Sequence, residues 1–214
     1  RMGWPHQDVE LVTLHGRPLA ILRGYLQPLA KIVVLSNDEN SPREVAELLT
    51  AQGFGNSQIT VLEHMGGSSE RRIEGIARSW SEKPGAGFNT IAIEILSLPE
   101  TVLVTRHPGL EDDLFINDGM LTKKEVRAIT LSALQPYPGS LLWDVGAGSG
   151  SVGIEWMRLS SRSLAIAIEE DVDRAATIAK NANQLGTPKL RVINAHAPEC
   201  LLSLPRPNAI FIGG

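Results

Sequence analysis

The run Leu141-Leu142-Trp143-Asp144-Val145-Gly146-Ala147-Gly148-Ser149-Gly150-Ser151 decides how the chain is read. Residues 141–145 read as a strand and residues 150–159 as a helix. The glycines therefore join a strand to a helix, which is where a ligand sits in an open α/β sheet. Gly146 permits a tight turn, and Gly148 lets the backbone approach a ligand with no side chain in the way. Gly150 lets the helix begin close to the strand, and the N–H groups at that helix start favour a carboxylate. Ala147 and Ser149 complete the loop. Asp144, just before the first glycine, is expected to belong to the same site.

Beyond the loop the alternation continues. Residues 163–168 read as a strand and 172–185 as a helix closed by Gly186 and Pro188. A strand at 190–194, a short helix at 198–204 and a strand at 209–212 follow. The order βαβαβαβ implies right-handed crossovers and a doubly wound parallel sheet. Glu169 ends the second of these strands, roughly twenty positions past the first glycine, a spacing that suits a carboxylate accepting from ribose hydroxyls. Ala195-His196-Ala197-Pro198 lies at the same sheet edge and is expected to place His196 and Ala197 near an adenine ring. A dinucleotide fingerprint needs a third glycine where Ser151 stands. The D-x-G-x-G-x-G form resembles instead the first motif of class I methyltransferases that use S-adenosylmethionine (SAM).

Upstream, Thr122-Lys123-Lys124-Glu125 has the form of a capping box and predicts a helix over 123–134, stopped by Pro136, Pro138 and Gly139. Residues 98–118 carry Pro99, Pro108 and the acids Glu111, Asp112 and Asp113 without helical period, and read as linker and lead-in. The first part reads as a strand at 32–35, a helix opened by Ser41-Pro42-Arg43-Glu44 as capping box and ended near Gly53, and a strand at 59–62. A helix over 69–80 with Ile73, Ile76, Ala77 and Trp80 on one face, the loop Lys83-Pro84-Gly85-Ala86-Gly87 and a strand at 90–95 complete it. This alternation predicts a parallel sheet covered on both faces.

The 214 residues carry a net charge of −4, with 43% apolar and 21% charged, an ordinary globular balance. That balance gives no electrostatic reason to expect a nucleic acid or an anionic membrane as partner. A lone cysteine, Cys200, cannot form an internal disulfide, and a reducing, cytoplasmic setting is expected. No apolar run approaches the ~20 residues of a membrane span, and the N-terminus lacks a signal-peptide pattern. The five histidines have no metal-ligand spacing, so no metal is expected.

Several stretches together resemble one family. Pro108-Gly109-Leu110-Glu111-Asp112-Asp113-Leu114-Phe115, Met120-Leu121-Thr122-Lys123-Lys124-Glu125-Val126-Arg127, the run 142–152, Ala195-His196-Ala197-Pro198-Glu199 and Ile210-Phe211-Ile212-Gly213-Gly214 resemble the C-terminal domain of the decarboxylating precorrin-6Y C(5,15)-methyltransferases. Leu14-His15-Gly16-Arg17-Pro18 and Thr60-Val61-Leu62-Glu63-His64-Met65-Gly66-Gly67 resemble the back half of that family's N-terminal tetrapyrrole methylase domain. The resemblance covers nearly the whole chain. It implies a Rossmann-like class I SAM methyltransferase sheet preceded by part of a tetrapyrrole methylase α/β domain. The expected boundaries are 1–97, 98–118 and 119–214, with the N-terminal site incomplete and the C-terminal sheet continuing past Gly214.

The same resemblance implies SAM as cofactor, with Thr122 on a segment covering it. It implies methylation of precorrin-6Y (6B) at C5 and C15 and loss of carbon dioxide from the ring C acetate, giving precorrin-8X. The C-terminal domain is expected to handle C15 and the decarboxylation, the N-terminal domain C5. Assembly as a homo-oligomer, tetramers included, and a cobalt-free substrate are expected. Lys123 and Arg127, four apart on one helix face, are candidates to meet substrate carboxylates, with Arg106 and His107 weaker candidates. Glu63 and His64 match the N-terminal cleft. His196 stands where the family more often has a small or acidic residue. A reduced tetrapyrrole carbon is already electron-rich and the sulfonium methyl electrophilic, so no protein nucleophile is named and alignment is the main work. The alternatives are a class I methyltransferase acting on RNA or protein, disfavoured by Phe211-Ile212-Gly213-Gly214 where an Asn/Asp-Pro-Pro-Tyr motif would stand, a nicotinamide oxidoreductase, disfavoured by Ser151, and a non-catalytic SAM-binding protein.

Overall fold

The computed structural model describes residues 2–81, 85–160 and 162–213. The chain divides into two compact units, Arg1–Val104 and Thr105–Gly214.

The first unit is built on β1 (Val9–Thr13), β2 (Lys31–Leu35), β3 (Gln58–Glu63), β4 (Arg71–Ile76) and β5 (Asn89–Glu94), with one α-helix, α1 (Ser41–Ala51). Its sheet runs in the order β1-β2-β5-β3-β4. Only β1 and β2 are parallel; β5 lies antiparallel between β2 and β3, and β3 and β4 form an antiparallel pair. This overturns the all-parallel expectation, and with it the helix over 69–80. Ile73, Ile76, Ala77 and Trp80 do fall at helical spacing, but β4 pairs opposite β3, with Ile73 across from Val61. Extended chain here gives every second backbone group a partner, and Gly75 makes room for the Trp80 ring, which a Cβ would approach to 2.9 Å.

The capping box expected at Ser41 and Glu44 is also absent. Ser41 lies inside α1, its Oγ accepting the N–H groups of Asn37 and Asp38 at 3.1 Å each. Asp38 Oδ1 does the capping, accepting from Asn40 at 2.8 Å and Ser41 at 3.1 Å. Ile32, Val34, Ile59, Val61, Ile91 and Ile93 pack with Leu22 and Leu49 into the core of this unit. Of the loop expected at 83–87, Lys83 and Pro84 lie outside the described residues.

The second unit follows its sequence reading closely. β6 (Leu141–Val145), β7 (Leu164–Glu169), β8 (Arg191–Asn194) and β9 (Ala209–Ile212) form an all-parallel sheet in the order β8-β7-β6-β9. The helices α2 (Lys124–Leu134), α3 (Ser151–Leu159) and α4 (Val172–Gln184) complete it. The short helix expected at 198–204 is a 3-10 turn over Glu199–Ser203. Asp171 caps α4 by accepting from Asp173 and Arg174 N–H, as an acid at a helix start should. α2 starts one residue late for the Thr122–Glu125 box, with Lys123 at its cap position and no side-chain cap bond.

The apolar faces of β6 and β7 meet Ile154 and Trp156 of α3 and Ile178 of α4, all buried. The winding reverses direction at β6: β7 and β8 lie to one side and β9 to the other. In open parallel sheets that reversal opens a crevice at the C-terminal strand tips. Residues 105–118 belong to this unit, where Leu110 and Phe115 are buried.

Candidate functional site: a cavity at the tips of the parallel strands

The glycine loop leaves β6 at its C-terminal end and turns into α3. Gly146 and Ala147 donate to the Ile168 carbonyl at 2.9 and 3.1 Å, and Gly150 donates to Ala147 at 2.8 Å. The loop is thus clasped to the end of β7. Of the N–H groups at the helix start, expected to favour a carboxylate ligand, Gly150 donates to Ala147 and Gly153 to Asp144 Oδ2.

Gly148 donates its N–H to Glu169 Oε2 at 2.7 Å. It sits at φ 57°, where a side chain is strained, and a Cβ would lie 2.9 Å from the Met120 carbonyl oxygen. Its bare face therefore admits the chain of residues 119–122, not a ligand directly. At Gly150 a Cβ would meet Ile178 of α4 at 2.6 Å, so this glycine sets the approach of α4.

A cavity of about 530 Å³ opens above the loop. Its floor is Val145, Gly146, Ala147 and Gly148; one wall is Ile168, Glu169, Glu170 and Arg174; another is Gly119, Met120, Leu121 and Thr122; Ala195, Ala197 and Gly213 close it. Of the residues expected at a cofactor, Thr122, Gly146, Ala147, Gly148, Glu169 and Ala197 line it.

Four others do not. Asp144 is 1% exposed and lies beneath the loop, its Oδ2 accepting the Gly153 N–H at 2.9 Å inside α3. Burial, with Glu169 adding like charge, pushes its carboxyl up to about 7. Asp144 caps a helix start and touches no cavity wall. Ser149 is buried, and its carbonyl accepts from Asn181 at 2.9 Å. Gly150 is spent on helix packing. His196 is 79% exposed and pairs with Glu170 at 2.6 Å; it is not among the residues lining the cavity, although its neighbours Ala195 and Ala197 are.

The candidate substrate cations divide. Lys123 is exposed, 3.8 Å from Asp112. Arg127 is not available to a substrate, since its side chain is fully buried and bound to Glu155, to Asp112 at 3.0 Å and to the carbonyls of Thr122 and Leu110. The helix face that carries it packs inward. Sequence reading did not single out Gly119, Met120, Leu121, Glu170 or Arg174. Position in the parallel-sheet fold could have pointed to Glu170, which follows Glu169 directly, and to Arg174 in the first turn of the helix after it.

Glu169 remains the centre of the site. It ends β7, is 4% exposed, and its other oxygen accepts the Asp171 N–H at 3.1 Å. These two bonds fix the carboxylate at the cavity wall. With Glu170 beside it, the wall is acidic, and Arg174 is held by Asp118 at 2.8 Å. Such a wall favours a ligand carrying hydroxyl donors and positive charge.

A reversing parallel sheet with a glycine turn on one strand tip and a fixed acid on the next is the arrangement of Rossmann-like methyltransferases, and the second unit has it. The family profile of the precorrin methyltransferase domain matches residues 113–214. The chain is 47% identical over 214 residues, all of its own length and 52% of the relative's, to precorrin-6Y C(5,15)-methyltransferase [decarboxylating] of Sinorhizobium sp. It is 35% identical over 111 residues, half of its length and 57% of the relative's, to a probable cobalt-precorrin-6B C(15)-methyltransferase (decarboxylating) of Pyrobaculum calidifontis. A crystal structure of the C-terminal domain of precorrin-6Y C5,15-methyltransferase from Rhodobacter capsulatus shares 45% identity, covering 52% of this chain and 60% of that one, with a TM-score of 0.49. Along its whole length the chain is similar to the precorrin-6Y C(5,15)-methyltransferases, with residues 113–214 matching the precorrin methyltransferase domain, and it spans about half the length of the full-length relative it matches.

Proposed function

We propose that the second unit binds SAM in the strand-tip cavity and methylates C15 of a reduced corrin precursor, precorrin-6Y (6B), with loss of carbon dioxide from the ring C acetate. The observation that carries the SAM reading is Glu169, held by two backbone N–H groups at the wall of a cavity of about 530 Å³, within the usual size range of small-molecule sites. A ribose-sized diol can donate to the remaining lone pairs of such a carboxylate. The acidic wall also favours the positive sulfonium.

SAM supplies an electrophilic methyl. The residues of the chain bind, orient and exclude water. Glu169 fixes the sugar end, the Gly146–Gly148 turn forms a floor with no side chain larger than a methyl, and residues 119–122 line the cavity on one side. Shielding and alignment are what a methyl transfer to an electron-rich carbon requires. A relative matching half of the chain bears the name of a C(15)-methyltransferase (decarboxylating), and the precorrin methyltransferase domain matches residues 113–214; together these favour placing those two steps on the second unit and the C5 step on the first. Homo-oligomeric assembly and a cytoplasmic setting accompany this reading.

The test is calorimetric titration of the chain with SAM, then methyl transfer from labelled SAM to purified precorrin. Saturable binding that weakens at least tenfold in Glu169→Ala is expected. Equal binding by both forms would overturn the site. Label appearing in RNA or protein instead of precorrin would overturn the substrate.

A further inference from the structure

The segment over the cavity is anchored in an uneven way. At its start, Asn181 of α4 is fully buried and holds Ile116 by both backbone groups, accepting from its N–H at 2.9 Å and donating to its carbonyl at 2.8 Å. The same side chain donates to Ser149 in the glycine loop at 2.9 Å. At its end, the fully buried Arg127 donates to the Thr122 carbonyl. Between these anchors the chain is held differently. Asp118 and Arg174 meet at 2.8 Å with side chains 50% and 34% exposed. Gly119 next to them sits at φ 100° with open space where a Cβ would be, and Met120 is 46% exposed.

We propose that residues 116–122 form a strap with permanent anchors at Asn181 and Arg127 and a releasable latch, the Asp118–Arg174 ion pair, whose opening lets the nucleoside enter and leave. This rests on the reading of the cavity as a SAM site. The contrast in burial carries it. Breaking a buried polar anchor leaves desolvated groups without partners and costs far more than thermal fluctuation supplies. An exposed ion pair in water changes an equilibrium by no more than about fivefold, so it can open repeatedly. The Met120 carbonyl lies against Gly148, so the strap forms one side of the cavity and its opening widens the way in. Arg174 belongs both to the cavity wall and to the latch, so release of the latch also frees a side chain of the cavity wall. Positive φ at Gly119 gives the strap a residue that can swing without steric cost.

Asp118→Asn is the informative variant. Asp118 Oδ1 accepts the Met120 N–H at 3.1 Å, and asparagine keeps that acceptor while removing the charge that holds Arg174. Two readouts are taken on the 214-residue chain. Without nucleoside, amide hydrogen exchange across residues 119–122 is expected to be two- to fivefold faster in Asp118→Asn. Raising salt to about 1 M is expected to speed the native chain in the same way and leave the variant unchanged. With SAM, stopped-flow binding is expected to show association and dissociation rates rising by the same factor, with Kd within about twofold. Exchange unaffected by both the variant and salt would overturn the latch. So would a weaker Kd arising from dissociation alone, which marks a plain ligand contact. Should SAM fail to bind the native chain, the nucleoside reading falls, and hydrogen exchange alone still decides whether the strap is latched by charge.

Discussion

The Gly148 N–H donates to Glu169 Oε2 at 2.7 Å, tying the turn after one strand to the last residue of the next. The acid therefore holds the floor of the cavity and leaves its remaining lone pairs at the cavity wall. A hydrogen bond to a charged group is worth about 1.5–3 kcal/mol, or roughly a 10- to 100-fold change in binding. Glu169→Ala is expected to weaken SAM binding by that factor. Glu169→Gln retains an acceptor for Gly148 and should lose less. Calorimetric titration of both variants checks the order; equal losses would place the whole effect in the charge.

Gly148→Ala tests the floor from the other side. A side chain at φ 57° costs about 1–2 kcal/mol, and the new Cβ would lie 2.9 Å from the Met120 carbonyl oxygen. The strap has to move outward to accept it. Urea unfolding is expected to show a loss of at least about 1 kcal/mol, and proteolysis over residues 116–122 should quicken. A variant as stable as the native chain with an unchanged strap would show that the contact is not close in solution.

The parts of this architecture legible in the sequence are those fixed by backbone requirements. β6, β7, β8 and β9 and the helices between them follow apolar period and glycine stops, and Glu169 follows from its place at a strand end and its spacing from the first glycine. The first unit was less legible. Ile73, Ile76, Ala77 and Trp80 satisfy a helix period, yet the partner strand β3 decides the matter, and that partner is not local. β1 is an edge strand beside β2 that leaves Leu11 65% exposed, giving no buried alternation to read. In the site, sequence shows that Asp144 and Arg127 are charged but not that they are buried. Both carry the pattern of functional residues, and both are structural. Met120 reaches the site through its carbonyl, a contribution no side-chain pattern announces.

Asp144 gives the protein a pH dependence of unusual sign for a carboxylate. Its folded value is raised to about 7 from an ordinary 3.8. Between those values the folded chain holds a proton that the unfolded chain has lost, so unfolding releases it, and stability falls as pH rises. The slope is at most about 1.4 kcal/mol per pH unit from this one group. Asp144→Asn removes it while keeping an acceptor for the Gly153 N–H. The difference in unfolding free energy, variant minus native, is expected to grow in favour of the variant from pH 5 to pH 8. A difference flat across that range would show that Asp144 is ionised throughout and solvated.

Arg127 and Glu155 form a buried ion pair at the centre of the second unit's polar contacts. Their side chains are 0% and 2% exposed and meet at 2.5 Å. Glu155 also accepts from Gly109 and Leu110 N–H at 2.6 and 3.0 Å, so one carboxylate binds α2, α3 and the lead-in segment together. Removing one partner of such a pair leaves an uncompensated buried charge and costs about 3–5 kcal/mol. Arg127→Met is expected to lose that much in urea unfolding. The double variant Arg127→Met with Glu155→Gln should recover part of it, because the amide oxygen still accepts a backbone N–H and no charge is left buried. A double variant as unstable as the sum of the two single changes would mean that the pair acts through packing and not through charge. The same measurement bears on the strap, since Arg127 also holds the Thr122 carbonyl: in Arg127→Met, exchange near residue 122 should quicken even where the folded fraction is high.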